Sequence, residues 1–325
     1  MPQEFKGEPT CSVYEYIKSN TRDGRLPEGF SIPWLEDMWA PGAHDGTVLN
    51  HMIPIELAPD PERDGKILHG LKLMASENNG AHMEKVFDIF EELDHKDSIV
   101  RLYDPIVRLI AEHQKEMDLR VLLQFGDFLI CSGTSLLAVK LGLSVISPFS
   151  APFVEEVMME FGIYDEFTYY AARTLSRGIW PNGNEELFSL AKKVHGWGRI
   201  HAVEWLEPKT QEIRDWLLYE GADNRVIPQY SANICLQKAE ALKRLDGCLT
   251  AKEYEAIGKL ILESLTEGPC RGVADGELLL PKFIGKAKEF RADPEVFEQI
   301  SDAADEYGLS PEMKEAAKRL AGFIP

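Results

Sequence analysis

The densest run of residues able to bind or react is Lys193-Val194-His195-Gly196-Trp197-Gly198-Arg199-Ile200-His201-Ala202-Val203-Glu204-Trp205. His201 and Glu204 stand three apart and share one helical face. With His195 they offer two imidazoles and a carboxylate, a set that suits zinc or another transition metal. His195 and His201 straddle a glycine-broken turn, however, so spacing alone does not set their geometry. A structural reading fits the same text: Trp197, between Gly196 and Gly198, plugs a gap between helical hairpins while His and Arg side chains cap helix-end carbonyls. A third reading makes the region a partner contact, because aromatics and arginine anchor interfaces. Its residues are Trp180, His195, Trp197, Arg199, His201, Glu204 and Trp205. That reading is carried forward, with no catalytic residue, no metal ligand and no cofactor assigned.

A second candidate is Ala43-His44-Asp45-Gly46, with His51 seven residues beyond His44. A His–Asp pair in a glycine-containing loop suits general-base chemistry or metal ligation. Adjacent residues do not normally act as a base and its orienter, no nucleophile accompanies them, and Asp-Gly is also a good turn dipeptide. Cys131-Ser132-Gly133-Thr134-Ser135 is no G-x-S-x-G elbow, and neither phosphate-binding glycine pattern, G-x-x-x-x-G-K-[ST] or G-x-G-x-x-G, occurs. Asp88, Glu91, Glu92, Asp94 and Asp97, beside His95, lack the alternation of a calcium loop and read as a solvated helix face.

The elements that must position these residues are helical. Eight of the 19 prolines fall within the first 64 residues, which excludes long regular elements there apart from one short helix near Ser12–Ser19. Phe30, Trp34 and Trp39 imply that this irregular segment packs onto the rest. From about residue 65, helix follows helix. Met83, Val86, Phe87, Phe90 and Leu93 keep the period of one buried face. Asp104-Pro105, Asp293-Pro294 and Ser310-Pro311 read as N-caps followed by proline at the first helical position. Thr250-Ala251-Lys252-Glu253 has the spacing of a capping box. Gly162, Gly178, Gly221, Gly268 and Gly308 sit where helices should stop. Leu278-Leu279-Leu280 is too short for a strand, and Pro269, Gly272, Gly276 and Pro281 interrupt the helical rhythm.

Three successive helix pairs are expected at 119–131 with 134–147, 152–161 with 165–177, and 184–195 with 198–206. One hairpin recurring at a fixed period of this size marks an α-solenoid. Small residues in the second helices would let neighbouring hairpins approach closely. The run Ala138-Val139-Lys140-Leu141-Gly142-Leu143-Ser144-Val145-Ile146 resembles the second helix of a HEAT or armadillo repeat, a resemblance of texture covering roughly 65–265. It implies an all-α fold, a right-handed α-solenoid of stacked antiparallel hairpins with a groove for a partner. It implies no chemistry. The expected organisation is an irregular N-terminal segment (1–64) packed on the solenoid, a helical-repeat domain (65–268) and a C-terminal helical cap (269–325).

The chain holds 35 Lys and Arg against 54 Asp and Glu, a net charge of −19. That charge disfavours duplex DNA and anionic membranes as partners and favours basic ones. The acid is concentrated at the ends: twelve acids face five bases before residue 65, and nine face two between 289 and 315. Five scattered cysteines without a C-x-x-C pair argue against a disulfide framework or structural zinc and read mostly as small core residues. No apolar run reaches the roughly 20 residues a membrane span needs, and the start lacks a signal-peptide pattern, so a cytoplasmic location is expected.

The function expected is a non-enzymatic helical-repeat scaffold binding a protein or peptide, preferably basic. Tyr169, Tyr170, Trp180, Trp197 and Trp205 are its candidate aromatic anchors, and an antitoxin- or immunity-type role is one form. Two alternatives stand beside it. One is an enzyme drawing a groove site from His44, Asp45, His51, His195, His201 and Glu204. The other is a HEAT-like DNA-acting protein using the basic cluster Arg173, Arg177, Lys192, Lys193 and Arg199.

Overall fold

Capping chemistry sets the first helix, α1 (Val13–Asn20): the Ser12 hydroxyl accepts from the Glu15 N–H while Glu15 reaches back to the Ser12 N–H. The computed structural model describes residues 9, 11–35, 39–49, 61–77, 98–268 and 270–322. Among these the regular structure is helical, with one isolated bridge between Arg22 and Arg25. No described helix is long and apolar enough to cross a membrane. The helix expected around Met83–Leu93, the Asp88–Asp97 acid run and His51 lie outside the described residues.

The chain forms two compact units, Met1–Ala202 and Val203–Pro325. The division falls inside the stretch grouped above as one repeat domain.

In the first unit, α1 is followed by α2 (Ala43–Leu49), α3 (Pro61–Glu77), a tight turn at Val100–Leu102 and α4 (Tyr103–His113). Then come α5 (Leu119–Ser132) with α6 (Leu136–Ile146), α7 (Pro152–Gly162) with α8 (Asp165–Leu175), α9 (Gly183–Ala191), and α10 (Gly196–Trp205), within which the division falls. The partners α5 and α6 pack together, as do α7 and α8; α6 also packs on α8, and α9 on both α7 and α8. Ile67, Leu71, Ile106, Leu122, Phe125 and Leu141 form a core shared by α3 to α6.

The small residues act within hairpins and also toward the next helix, since a Cβ on Gly162 would stand 2.7 Å from Leu190 Cδ2 on α9. A Cβ on Gly142 would stand 2.8 Å from the Gly126 carbonyl across the α5–α6 crossing, and one on Gly162 would stand 2.9 Å from the Ala171 Cβ across α7–α8. Gly162 is therefore a close-approach glycine, not a left-handed stop. Of the five expected stops, only Gly178 and Gly308 have positive φ. Asp104 is not an N-cap either: α4 already begins at Tyr103, continuing the tight turn before it, and Asp104 pairs instead with Arg173.

The second unit contains α11 (Gln211–Trp216), which widens into a π-turn at Leu217–Gly221, then α12 (Gln229–Lys238), α13 (Ala241–Asp246), α14 (Ala251–Leu265), α15 (Gly276–Lys286), α16 (Pro294–Asp302) and α17 (Pro311–Leu320). The Thr250–Glu253 capping box is present, as are the Asp293 and Ser310 caps. Against expectation, 276–286 is one helix with Pro281 inside it. Burial of Leu279, Leu280, Phe283 and Ile284 offsets the lost backbone bond, and Phe283 stacks on Tyr254 with centroids 4.4 Å apart. Cys235 is buried, but Cys131 and Cys248 are exposed and Cys11 and Cys270 partly so, which corrects the core reading for most of the cysteines.

Candidate functional site

The residues singled out from the sequence fall largely into the interior. Trp180, Trp197, Arg199 and His201 are buried, as are Tyr169 and Tyr170; His195 and Trp205 are partly buried and Glu204 is exposed. The expected aromatic anchors are therefore core side chains, with Trp205 the one retaining partial exposure. Arg199 does what the structural reading foresaw, its Nε donating to the Val194 carbonyl at 3.0 Å. Among the described residues, no three His, Cys, Asp or Glu side chains are grouped to hold a metal ion.

The two candidate regions meet. The short α2 inserts against α6, α8 and the start of α10, and Gly46 makes this possible. A Cβ there would stand 2.2 Å from Cε3 and 2.3 Å from Cζ3 of the Trp197 ring. Gly42, at φ +78, sits where a Cβ would be 2.6 Å from the Asp165 carbonyl, a backbone conformation that favours glycine. The Trp39 ring stacks on buried His44 with centroids 5.6 Å apart.

At this junction lies a buried ion cluster that the sequence reading did not assemble. Lys140, from the middle of apolar α6, places Nζ 2.8 Å from Asp45 Oδ2 and against Glu166 Oε1. Asp45 also accepts from the Ser98 hydroxyl at 2.7 Å and the Tyr170 hydroxyl at 3.2 Å. Glu166 Oε2 accepts from the Gly42 N–H at 2.6 Å. Burial works against the Lys140 ammonium, but the charges of Asp45 and Glu166 outweigh it and raise its pKa. Burial likewise opposes the Asp45 carboxylate, and Lys140 and Ser98 outweigh it and hold the carboxyl below its ordinary value. Glu166 goes the other way, pushed up by burial and by the neighbouring Asp45 charge. A protonated ammonium clamped between carboxylates is a poor nucleophile and a poor base. What this arrangement does is tie residues 42–45 to α6 and α8. One signal of it was present in the sequence: a lysine within the apolar run of α6, whose burial requires counter-charges.

Asp165, at the start of α8, faces the beginning of α10. Its carboxylate accepts from the backbone N–H groups of His195 and Gly198, while burial pushes its pKa up to about 7. A Cβ on Gly198 would stand 2.5 Å from Asp165 Oδ1, so the glycine admits the carboxylate.

An open concavity lies elsewhere in the same unit. A groove of about 460 Å³ runs between α1 and α7 and reaches Lys193 beyond α9. Ile17, Met159 and Ile163 supply apolar lining, and Asp23, Glu156 and Glu160 supply acids. One wall is a braced triad: Tyr14 Oη donates to Glu160 Oε2 at 2.7 Å, Lys18 Nζ donates to Tyr14 Oη at 2.9 Å, and Lys18 lies 3.3 Å from Glu160 Oε1. Of the residues lining this groove, only Lys193 belonged to a candidate region in the sequence. Comparison of the chain with models of known protein families, with curated proteins and with solved structures finds no match in any of the three.

Proposed function

We propose that the chain is a non-enzymatic helical-repeat scaffold, a right-handed HEAT-like α-solenoid in its central part, that binds a basic peptide or protein segment. The observation that carries this reading is the α1–α7 groove, an open trough of about 460 Å³ whose apolar lining is flanked by three acids and two lysines, one of them already paired with Glu160. Its volume is that of a ligand-sized site. The packing of α6 on α8, each the second helix of its pair, supports the repeat architecture. The net charge of −19 supports the preference for a cationic partner, which it would draw in from a distance. Five free cysteines suit a reducing, cytoplasmic setting. The ion cluster at Lys140 serves this function indirectly, by fixing the first unit on which the groove is built.

An array of immobilised basic, neutral and acidic peptides, probed with the full chain at low and high salt, tests the reading. Retention on basic peptides that weakens with salt is expected, and Met159→Trp, which fills the groove, should abolish it. Equal retention across the array, or retention unaffected by that substitution, would overturn the proposal.

A further inference from the structure

Among the described residues, three charged groups in the groove form no ion pair: Lys193, Asp23 and Glu156. The other charged residues that line it, Lys18 and Glu160, already satisfy each other. Lys193 extends toward the turn at Asp23-Gly24, where a Cβ on Gly24 would stand 3.3 Å from its Nζ. The uncommitted groups are thus one cation and two anions around apolar Ile17, Met159 and Ile163. A purely anionic ligand would meet Lys193 but also the two free acids and Glu160. A purely cationic one would leave Lys193 opposed. Charge complementarity therefore favours an amphoteric occupant with an apolar stem, carrying a carboxylate for Lys193 and a cation for Asp23 and Glu156.

Resting on the basic-partner reading above, we propose that the α1–α7 groove holds the carboxy terminus of a peptide whose last residues include arginine or lysine. The terminal carboxylate meets the Lys193 ammonium, a charge-assisted contact stronger than a neutral hydrogen bond. The aliphatic part of the basic side chain lies along Ile17 and Met159, and its charged end reaches Glu156 and Asp23. The groove's volume of about 460 Å³ gives room for more than a single side chain.

The test is fluorescence anisotropy of the full chain with a labelled hexapeptide ending in leucine-arginine, prepared as the free acid and as the C-terminal amide. At least a tenfold preference for the free acid is expected, and Lys193→Ala should remove the preference without weakening the amide form. Glu156→Gln should weaken both forms severalfold; circular dichroism confirms that each variant is folded. Equal binding of acid and amide, or a preference that survives Lys193→Ala, overturns the proposal while leaving the basic-scaffold reading in place. Free arginine competing as well as the peptide would overturn the peptide source in favour of an amino acid. Failure of every basic peptide in both this assay and the array would overturn both readings.

Discussion

The same three kinds of side chain, a lysine, a carboxylate and a tyrosine hydroxyl, are assembled twice in the first unit, with opposite consequences. At the α2 junction, Lys140, Asp45, Glu166 and Tyr170 are all buried, the lysine and both acids at 4% side-chain exposure or less. Along the groove, Lys18 and Glu160 meet with their side chains 60% and 31% exposed, and Tyr14 completes the contact. The distances differ little, so geometry does not separate the two sets. Solvent does. Water screens the groove charges and offers them other partners, so their pairing adds little. In the interior each charge depends on its neighbours, so removing one leaves the others stranded.

Substitution separates the two sets most sharply. Lys140→Met leaves two buried carboxylates without their cation and is expected to cost about 3–5 kcal/mol in denaturant unfolding. Lys18→Met is expected to change stability by no more than about 1 kcal/mol. Equal losses would show that the two clusters are not different in kind. An effect between those two is expected from Gly46→Ala, which pushes a methyl into the Trp197 ring and should cost about 1–3 kcal/mol. In a Trp197→Ala background that penalty should largely vanish, so a double-mutant cycle reads the contact directly. Additive losses would place the cost of Gly46→Ala in the helix itself.

A further expectation concerns pH. Asp165 titrates near 7 in the fold because burial penalises its charge, against an ordinary value of about 4. Between those values the folded chain holds a proton that the unfolded chain has lost. Its contribution to stability is therefore present at low pH and is lost as pH rises toward 7, with a slope of up to about 1.4 kcal/mol per pH unit. Asp165→Asn should flatten that part of the stability–pH curve. An unchanged slope would assign it to other groups. Asp45 runs the opposite way: held below its ordinary value, it stabilises the fold above that value and loses its contribution in acid.

Local grammar was read well from the sequence. The Thr250–Glu253 box, the Ser310 and Asp293 caps and the paired helices at 119–132 with 136–146 and 152–162 with 165–175 appear where expected. These signals depend on residues within a few positions of one another. Pro281 shows the limit of that reading. Its local propensity against helix is outweighed by the burial of Leu279, Leu280, Phe283 and Ile284. The candidate site was legible in its parts but not in its assembly. His44-Asp45-Gly46 and the Trp197 region appeared as two sites, but Gly46 and Trp197 are a single contact. The aromatics that looked like anchors have a composition that serves a core as well as an interface, and burial assigns most of them to the core.

What the sequence determined by itself is therefore the helical character, most of the helix boundaries and the acidic charge, because periodicity, capping and composition are local or additive. The tertiary structure decided which charges lie inside. Lys140 reaches Asp45 across 95 residues of chain and Glu166 across 26, and Tyr14 meets Glu160 across 146. No short-range pattern encodes such meetings, because each exists only after packing has removed water from one cluster and left it beside the other.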